Sequence, residues 1–261
     1  MIPQPREALA NMVLSLSLSG EMIQQRLGRV HQELLSHSPH LGALDFTRIR
    51  ALDLESLFGA YDRYFFNGLC RTLMGSRTLI FRLSRRMTRA GGKTARFRQS
   101  NGDVSYEVSI GIDTLFDGFG ETDRRVTVCG LECGNRLEAL QRIFEHEIVH
   151  LVEQLCWETS NCAARRFQDI AARFFGHRAH THQLITRRER AADIGIRVGS
   201  RVSFSFEGRR MSGRVNRITK RATVLVEDPE GARYSDGRHY KSYYVPIACL
   251  ELEQMKTAGA Q

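Results

Sequence analysis

The chain has 261 residues, 42% of them hydrophobic, and a formal net charge of +9. That length suits one large or two modest domains, and the apolar fraction is enough for a core. No apolar run is long enough to cross a bilayer, Met12–Leu18 lacks the flanks of a signal peptide, and the six cysteines show no CxxC spacing; the expectation is a cytoplasmic protein with thiols or metal ligands rather than disulfides, a zinc ribbon or a membrane anchor.

The N-terminal region reads as helical. Ile23, Leu27, Val30 and Leu34 form one stripe, Ser19 stands at a cap position, and Ser38-Pro39 stops the helix. A second helix is expected from about Asp53 to Phe66, with Leu54, Leu57, Phe58, Tyr61 and Phe65 inward and Asn67-Gly68 ending it. Strand signals follow. Thr78–Leu83 is a short β-type run, Gly91-Gly92 breaks the chain, and 94–99 and 104–110 flank Asn101-Gly102, a strong hairpin signal. A further strand covers about 125–129. From Arg71 to Arg98 there are nine basic residues and no acidic one, and a second basic excess runs from Arg187 to Lys241. Such clusters are the footprint of a polyanion, most often nucleic acid.

The next helix carries the chemistry. Leu137, Leu140, Phe144, Ile148, Leu151 and Leu155 recur at helical spacing, and Asn135 and Glu138 stand at capping-box spacing. On that helix lies His146-Glu147-Ile148-Val149-His150. Histidines four apart share one helix face and can reach one Zn²⁺, and the glutamate after the first can act as general base on a metal-bound water. A polar loop over 157–161 leads to another helix, about 163–175, with Phe167, Ile170, Ala171 and Phe174 on one side and Gly176 ending it. His177, His180 and His182 cluster after it as surface, substrate-contact or ligand residues.

From Gly195 the pattern changes to short alternating strands separated by glycine turns: Val202–Phe206, Gly213–Val215, Ala222–Val226 and Tyr243–Ile247, with Asp228-Pro229-Glu230-Gly231 expected as a hairpin turn. This predicts a small all-β barrel at 195–252 of the SH3-like kind, able to track phosphates with arginines and to stack bases on Phe204, Phe206, Tyr234 and Tyr240. The fold class is therefore α+β, with an N-terminal helical extension (1–50), a domain over 51–190, the barrel, and a disordered tail at 253–261.

The segment from about Leu57 to Leu184 resembles the SprT-like family of zinc metallopeptidases, which includes proteases that digest DNA–protein crosslinks. The resemblance rests on Phe65-Phe66-Asn67-Gly68-Leu69, the 78–83 strand, the hairpin around Asn101-Gly102, Phe144–Leu151, Phe167, and Thr181-His182-Gln183. It implies a minimal zincin-like protease domain with helices and a small antiparallel sheet, in which His146 and His150 bind zinc and Glu147 is the catalytic base. The chain departs from the family at the third ligand, a histidine whose place is held by Ala163, and at the C-terminus, where the barrel replaces a zinc ribbon. Cys162, one residue before that place, is expected to supply the third ligand; water, Glu153, His177, His180 and His182 are the alternatives.

The expected activity is metal-assisted amide hydrolysis of proteins bound or crosslinked to nucleic acid, DNA rather than RNA, with the strand at 104–110 offering its edge to an extended peptide. Arg82, Arg85, Arg86, Arg89, Lys93, Arg214, Arg217, Lys220 and Arg221 are the expected phosphate contacts. The alternative is a nucleic-acid-binding protein with a degenerate, inactive metal site.

Overall fold

The computed structural model describes residues 4–87, 90–119, 126–183, 191–192, 195–219 and 221–253. The chain is a mixed helix-and-sheet protein that divides into two compact units, Met1–Leu184 and Ile185–Gln261.

The first unit opens with α1 (Pro5–Ser15) and α2 (Gly20–His37). Ser19 caps α2 by accepting from Met22 N at 3.2 Å. These helices are integral to the unit: Arg173 donates to the carbonyls of Val13 and Leu14, and Arg6 to that of Cys156. Helix α3 (Ala51–Phe66) ends at Asn67, φ 53°, and Gly68, φ 74°. The buried Asp62 carboxylate then accepts from Cys70 N and Arg71 N at 2.9 and 3.1 Å, holding the start of α4 (Leu69–Met74).

Strands β1 (Leu79–Ser84), β2 (Gly92–Arg98) and β3 (Val104–Gly111) form a sheet ordered β1-β3-β2. β2 and β3 make the expected hairpin, but β1 runs parallel to β3, so this sheet is mixed rather than antiparallel. β3 is therefore the central strand. The edge expected at 104–110 is covered on both sides, and β2 holds the free edge next to the HExxH helix. One face of the sheet, with Phe81, Tyr106, Val108 and Ile110, packs inward; Phe81 lies against Phe58 and Phe144.

Helix α5 (Ile112–Gly118) leads to a second small sheet, in which β4 (Val126–Val128) pairs with β5 (Leu131–Cys133) and, further on, with β6 (His182–Gln183). Helix α6 (Arg136–Trp157) crosses between the sheets, and α7 (Arg165–Phe175) packs beside it. Asn135 caps α6 by accepting from Glu138 N at 2.9 Å, while Glu138 reaches back to Gly134 N at 2.8 Å, one residue earlier than a strict capping box.

The second unit is a five-stranded antiparallel sheet ordered β10-β9-β8-β7-β11, comprising β7 (Arg201–Phe206), β8 (Arg209–Ile218), β9 (Ala222–Arg233), β10 (His239–Val245) and β11 (Glu251–Leu252). Val202, Phe204, Val215, Val224, Val245 and Leu250 form its core. No pairing among the described residues joins β10 to β11, so the sheet is not closed into a barrel by hydrogen bonds. β11 is too short to extend the edge beyond the start of β7. The Asp228–Gly231 segment is not the hairpin turn. It lies inside β9, where the register to β10 jumps from His239↔Arg233 to Tyr240↔Glu227, and Lys241 pins the resulting bulge through Asp228 at 2.8 Å. The turn itself is at 235–237. The expected tail lies outside the described residues except for Glu253.

Candidate metal centre

Helical spacing places His146 and His150 on one face of α6, and the fold brings their Nε2 atoms to 3.2 Å from each other. Two imidazole nitrogens at about 2.0–2.1 Å from one tetrahedral ion would lie about 3.3 Å apart, so the pair fits a single metal. Cys162, in the loop between α6 and α7, completes a set: its Sγ and a ring nitrogen of each histidine all lie within 4.8 Å of one another. A thiolate and two imidazoles make a borderline-soft donor set that suits zinc.

The surroundings fix the proton of His150. Its Nδ1 lies 2.6 Å from Ser160 Oγ, and that hydroxyl donates to Glu153 Oε2, also at 2.6 Å. Ser160 has one proton, spent on Glu153, so it accepts from His150 Nδ1–H and leaves the Nε2 lone pair free. Glu153 is fully buried and is held from its other side by Arg166 Nε at 2.6 Å, whose guanidinium also lies 4.2 Å from the Trp157 ring centroid. Glu153 thus reaches His150 through Ser160 and lies outside the candidate donor groups among the described residues. Phe167, with ring centroids 4.8 Å from His146 and 4.5 Å from His150, walls the imidazoles from α7. Burial pushes His146 down to about 2, assisted by His182 and His150, and pushes His150 down to about 4. In both rings burial favours the neutral form, the one that offers a lone pair to a metal.

Glu147 is 2% exposed and points back toward β2. The Thr94 hydroxyl stands 2.7 Å from Glu147 Oε2 and 3.0 Å from its main-chain oxygen. Burial pushes the carboxyl up to about 8, with Thr94 opposing; a cation alongside acts in the opposite direction. The room for this side chain comes from Gly92, where a Cβ would lie 2.6 Å from both Cγ and Oε1 of Glu147. Of the glycine pair that reads as a chain breaker, Gly92 is thus the first residue of β2 and leaves space for the glutamate, while Gly91 lies against Ile143.

Glu145 holds α6 from behind. It is fully buried and bound by Tyr61 Oη at 2.7 Å, Arg142 at 3.0 Å and His177 Nε2 at 2.8 Å. Burial raises its pKa, but Arg142, His177 and Tyr61 together outweigh that and hold it below the usual carboxylate range. His177 is thereby tied to Glu145, and His180 Nδ1 lies 3.4 Å from Gln168 Nε2; neither belongs to the candidate donor groups among the described residues. His182 does reach the centre: its ring is 4.8 Å from that of His146, and its Nδ1 lies 3.7 Å from Cys129 Sγ. Cys129 has no motif spacing to the helix; it follows β4, which lies against α6, and the pairing of β4 with β6 brings His182 beside it.

The expected phosphate contacts fall in two places. Arg82 and Lys93 both oppose Ser109 across the outer face of the first sheet, with Arg85 and Arg86 exposed nearby. That face is less basic than its sequence, because Glu107 pairs with Arg82 at 2.6 Å. Arg214, Arg217 and Arg221 are exposed in the second unit, and Arg214 Nε donates to Gly199 O at 3.1 Å. Of the aromatics expected to stack bases there, Phe204 is buried in the core and Phe206 is exposed, while Tyr234 and Tyr240 pack edge to face at 5.4 Å. Arg89 and Lys220 lie outside the described residues. Among those described, no helix is long and apolar enough to cross a membrane. Comparison with family models, with curated proteins and with solved structures found no match.

Proposed function

We propose that the first unit is a zinc-dependent metallopeptidase of the SprT-like, zincin kind, with His146, His150 and Cys162 as ligands and Glu147 as general base. The observation that carries this reading is two imidazole Nε2 atoms 3.2 Å apart, that of His150 oriented through Ser160, with a buried glutamate at the helical position between the two histidines. A structural zinc site has no use for that glutamate. A zinc ion at such a site acidifies a bound water and polarises a carbonyl. Glu147 takes a proton from the attacking water and delivers it to the leaving amine, and Thr94 fixes the carboxylate orientation between the two transfers. Ser160 and Glu153 keep His150 in one tautomer. The free edge of β2 carries Gly92 and Thr94 beside Glu147, so an extended peptide added to that edge lies next to the base and is held through its main chain with little sequence preference.

Selectivity then comes from location. Arg214, Arg217 and Arg221 in the second unit, whose last strand returns beside its first as in a partly open SH3-like barrel, hold the protein on nucleic acid, and the substrates are proteins bound or crosslinked there. The zinc-loaded chain should cleave a DNA-bound protein faster than the same protein free, and a chelator should abolish both reactions. Cleavage that survives complete removal of metal contradicts the proposal.

A further inference from the structure

The HExxH histidine has a second pole. His146 Nε2 faces His150, but its Nδ1 faces no oxygen acceptor among the described residues; its neighbour is Cys129 Sγ at 3.8 Å. On the other side of that sulfur is His182 Nδ1, at 3.7 Å. A thiolate at about 2.3 Å and an imidazole at about 2.0–2.1 Å from one tetrahedral ion lie about 3.6 Å apart, so both separations are those of ligands to a shared cation. Cys129 Sγ and one ring nitrogen from each of His146 and His182 lie within 4.8 Å of one another.

The backbone builds this arrangement at a cost. Cys129 and Gly130 are the two central residues of the β4–β5 hairpin, at φ 53° and 74°, the pattern of a type I′ turn. Asn, Asp or Gly is favoured at the first position, so the fully buried cysteine there holds a sparsely populated backbone conformation. The turn is locked onto the segment that carries His182. Cys129 N donates to Thr181 O at 2.9 Å, and Cys129 O accepts from Arg178 N and Ala179 N at 2.9 and 3.0 Å. Val128 pairs with His182 across the sheet. Cys129 and His182 are thus fixed relative to each other before any ion arrives.

We propose that Cys129, His146 Nδ1 and His182 Nδ1 form a second site for a thiophilic divalent cation, on the opposite side of the His146 ring from the pole that holds His150 and Cys162. Loading it displaces the Cys129 thiol proton to solvent and uses the His146 tautomer with its proton on Nε2. A neutral imidazole has one lone-pair nitrogen, so the two poles are alternatives for one ion rather than partners in a binuclear centre. Ion held at the Cys129 pole leaves His150 and Cys162 without it, which makes this pole a resting site for the protein's own metal.

The inference rests on the reading of His146 as a ligand, but its test is independent of catalysis. The His150→Gln/Cys162→Ser variant removes the first pole at two half-buried positions, and far-UV circular dichroism confirms its fold. Titrated with Co²⁺, it should bind about one equivalent, as one such site holds one ion, and show a thiolate-to-cobalt charge-transfer band. Adding Cys129→Asn, which suits the turn and removes the sulfur, should abolish the band, and adding His182→Gln should weaken binding at least tenfold. No band in the folded double variant, or a band that survives Cys129→Asn, overturns the proposal. Failure of the peptidase reading is seen separately, as absence of metal-dependent cleavage by the wild-type chain.

Discussion

At the scale of single residues, the site depends on space and proton direction as much as on ligands. Gly92 has no unusual φ, so only the missing Cβ matters. Gly92→Ala pushes against Cγ and Oε1 of Glu147 and should cut turnover by about 10²-fold, the usual cost of misplacing a catalytic group by an ångström, with zinc content unchanged; unaltered kcat would show that Glu147 does not need its observed position. Ser160→Ala removes the acceptor for His150 Nδ1–H and leaves Glu153 with one partner fewer. Metal affinity or activity should fall about 10–100-fold, as for other groups that orient a histidine ligand, and competition with a chromophoric chelator reads this directly. Because His146 belongs to both poles, His146→Ala should empty the protein of metal, whereas His150→Ala should retain metal without activity; equal metal loss in the two variants would argue against the Cys129 pole.

At the scale of elements, α6 is the part most readable from sequence, because its apolar period, its Asn135 cap and its HExxH register all coincide. Asn135→Ala should cost about 1 kcal/mol, read as a lower urea midpoint with unchanged slope; no shift would mean that packing alone sets where α6 begins. Cys162 was legible only through the resemblance, which would put a histidine at the place of its neighbour Ala163. Cys129 and His182 were not legible as a pair, since 53 residues separate them and a strand pairing, β4 with β6, brings them together. The sheet order was hidden for the same reason. A hairpin signal identifies β2 and β3 as neighbours but says nothing about β1, whose parallel pairing to β3 moves the free edge from 104–110 to β2. In the second unit, Asp-Pro-Glu-Gly reads locally as a turn, yet long-range pairing absorbs it as a bulge in β9.

At the scale of the whole molecule, the charge of a sequence run differs from the charge of the surface that it forms. The Arg71–Arg98 run contains no acidic residue, but Glu107 of β3 binds Arg82. Nucleic-acid affinity should therefore depend more on the second unit. Replacing Arg214, Arg217 and Arg221 with Ala should weaken binding and lower the slope of log K against log salt by about 0.7–0.9 for each phosphate that is no longer neutralised, whereas Arg82→Ala should change it little. The opposite ranking, from fluorescence anisotropy across a salt series, would move the binding surface to the first sheet.

Glu147 is the residue on which the proposed chemistry turns. The measurement is turnover of a DNA-bound protein substrate by wild type and Glu147→Gln at matched zinc content. The predicted result is equal zinc in the two proteins and a loss of about 10²–10⁴-fold in kcat for the variant, the range for removal of a general base. Near-normal turnover by zinc-loaded Glu147→Gln would contradict the assignment of Glu147 as the group that moves the proton.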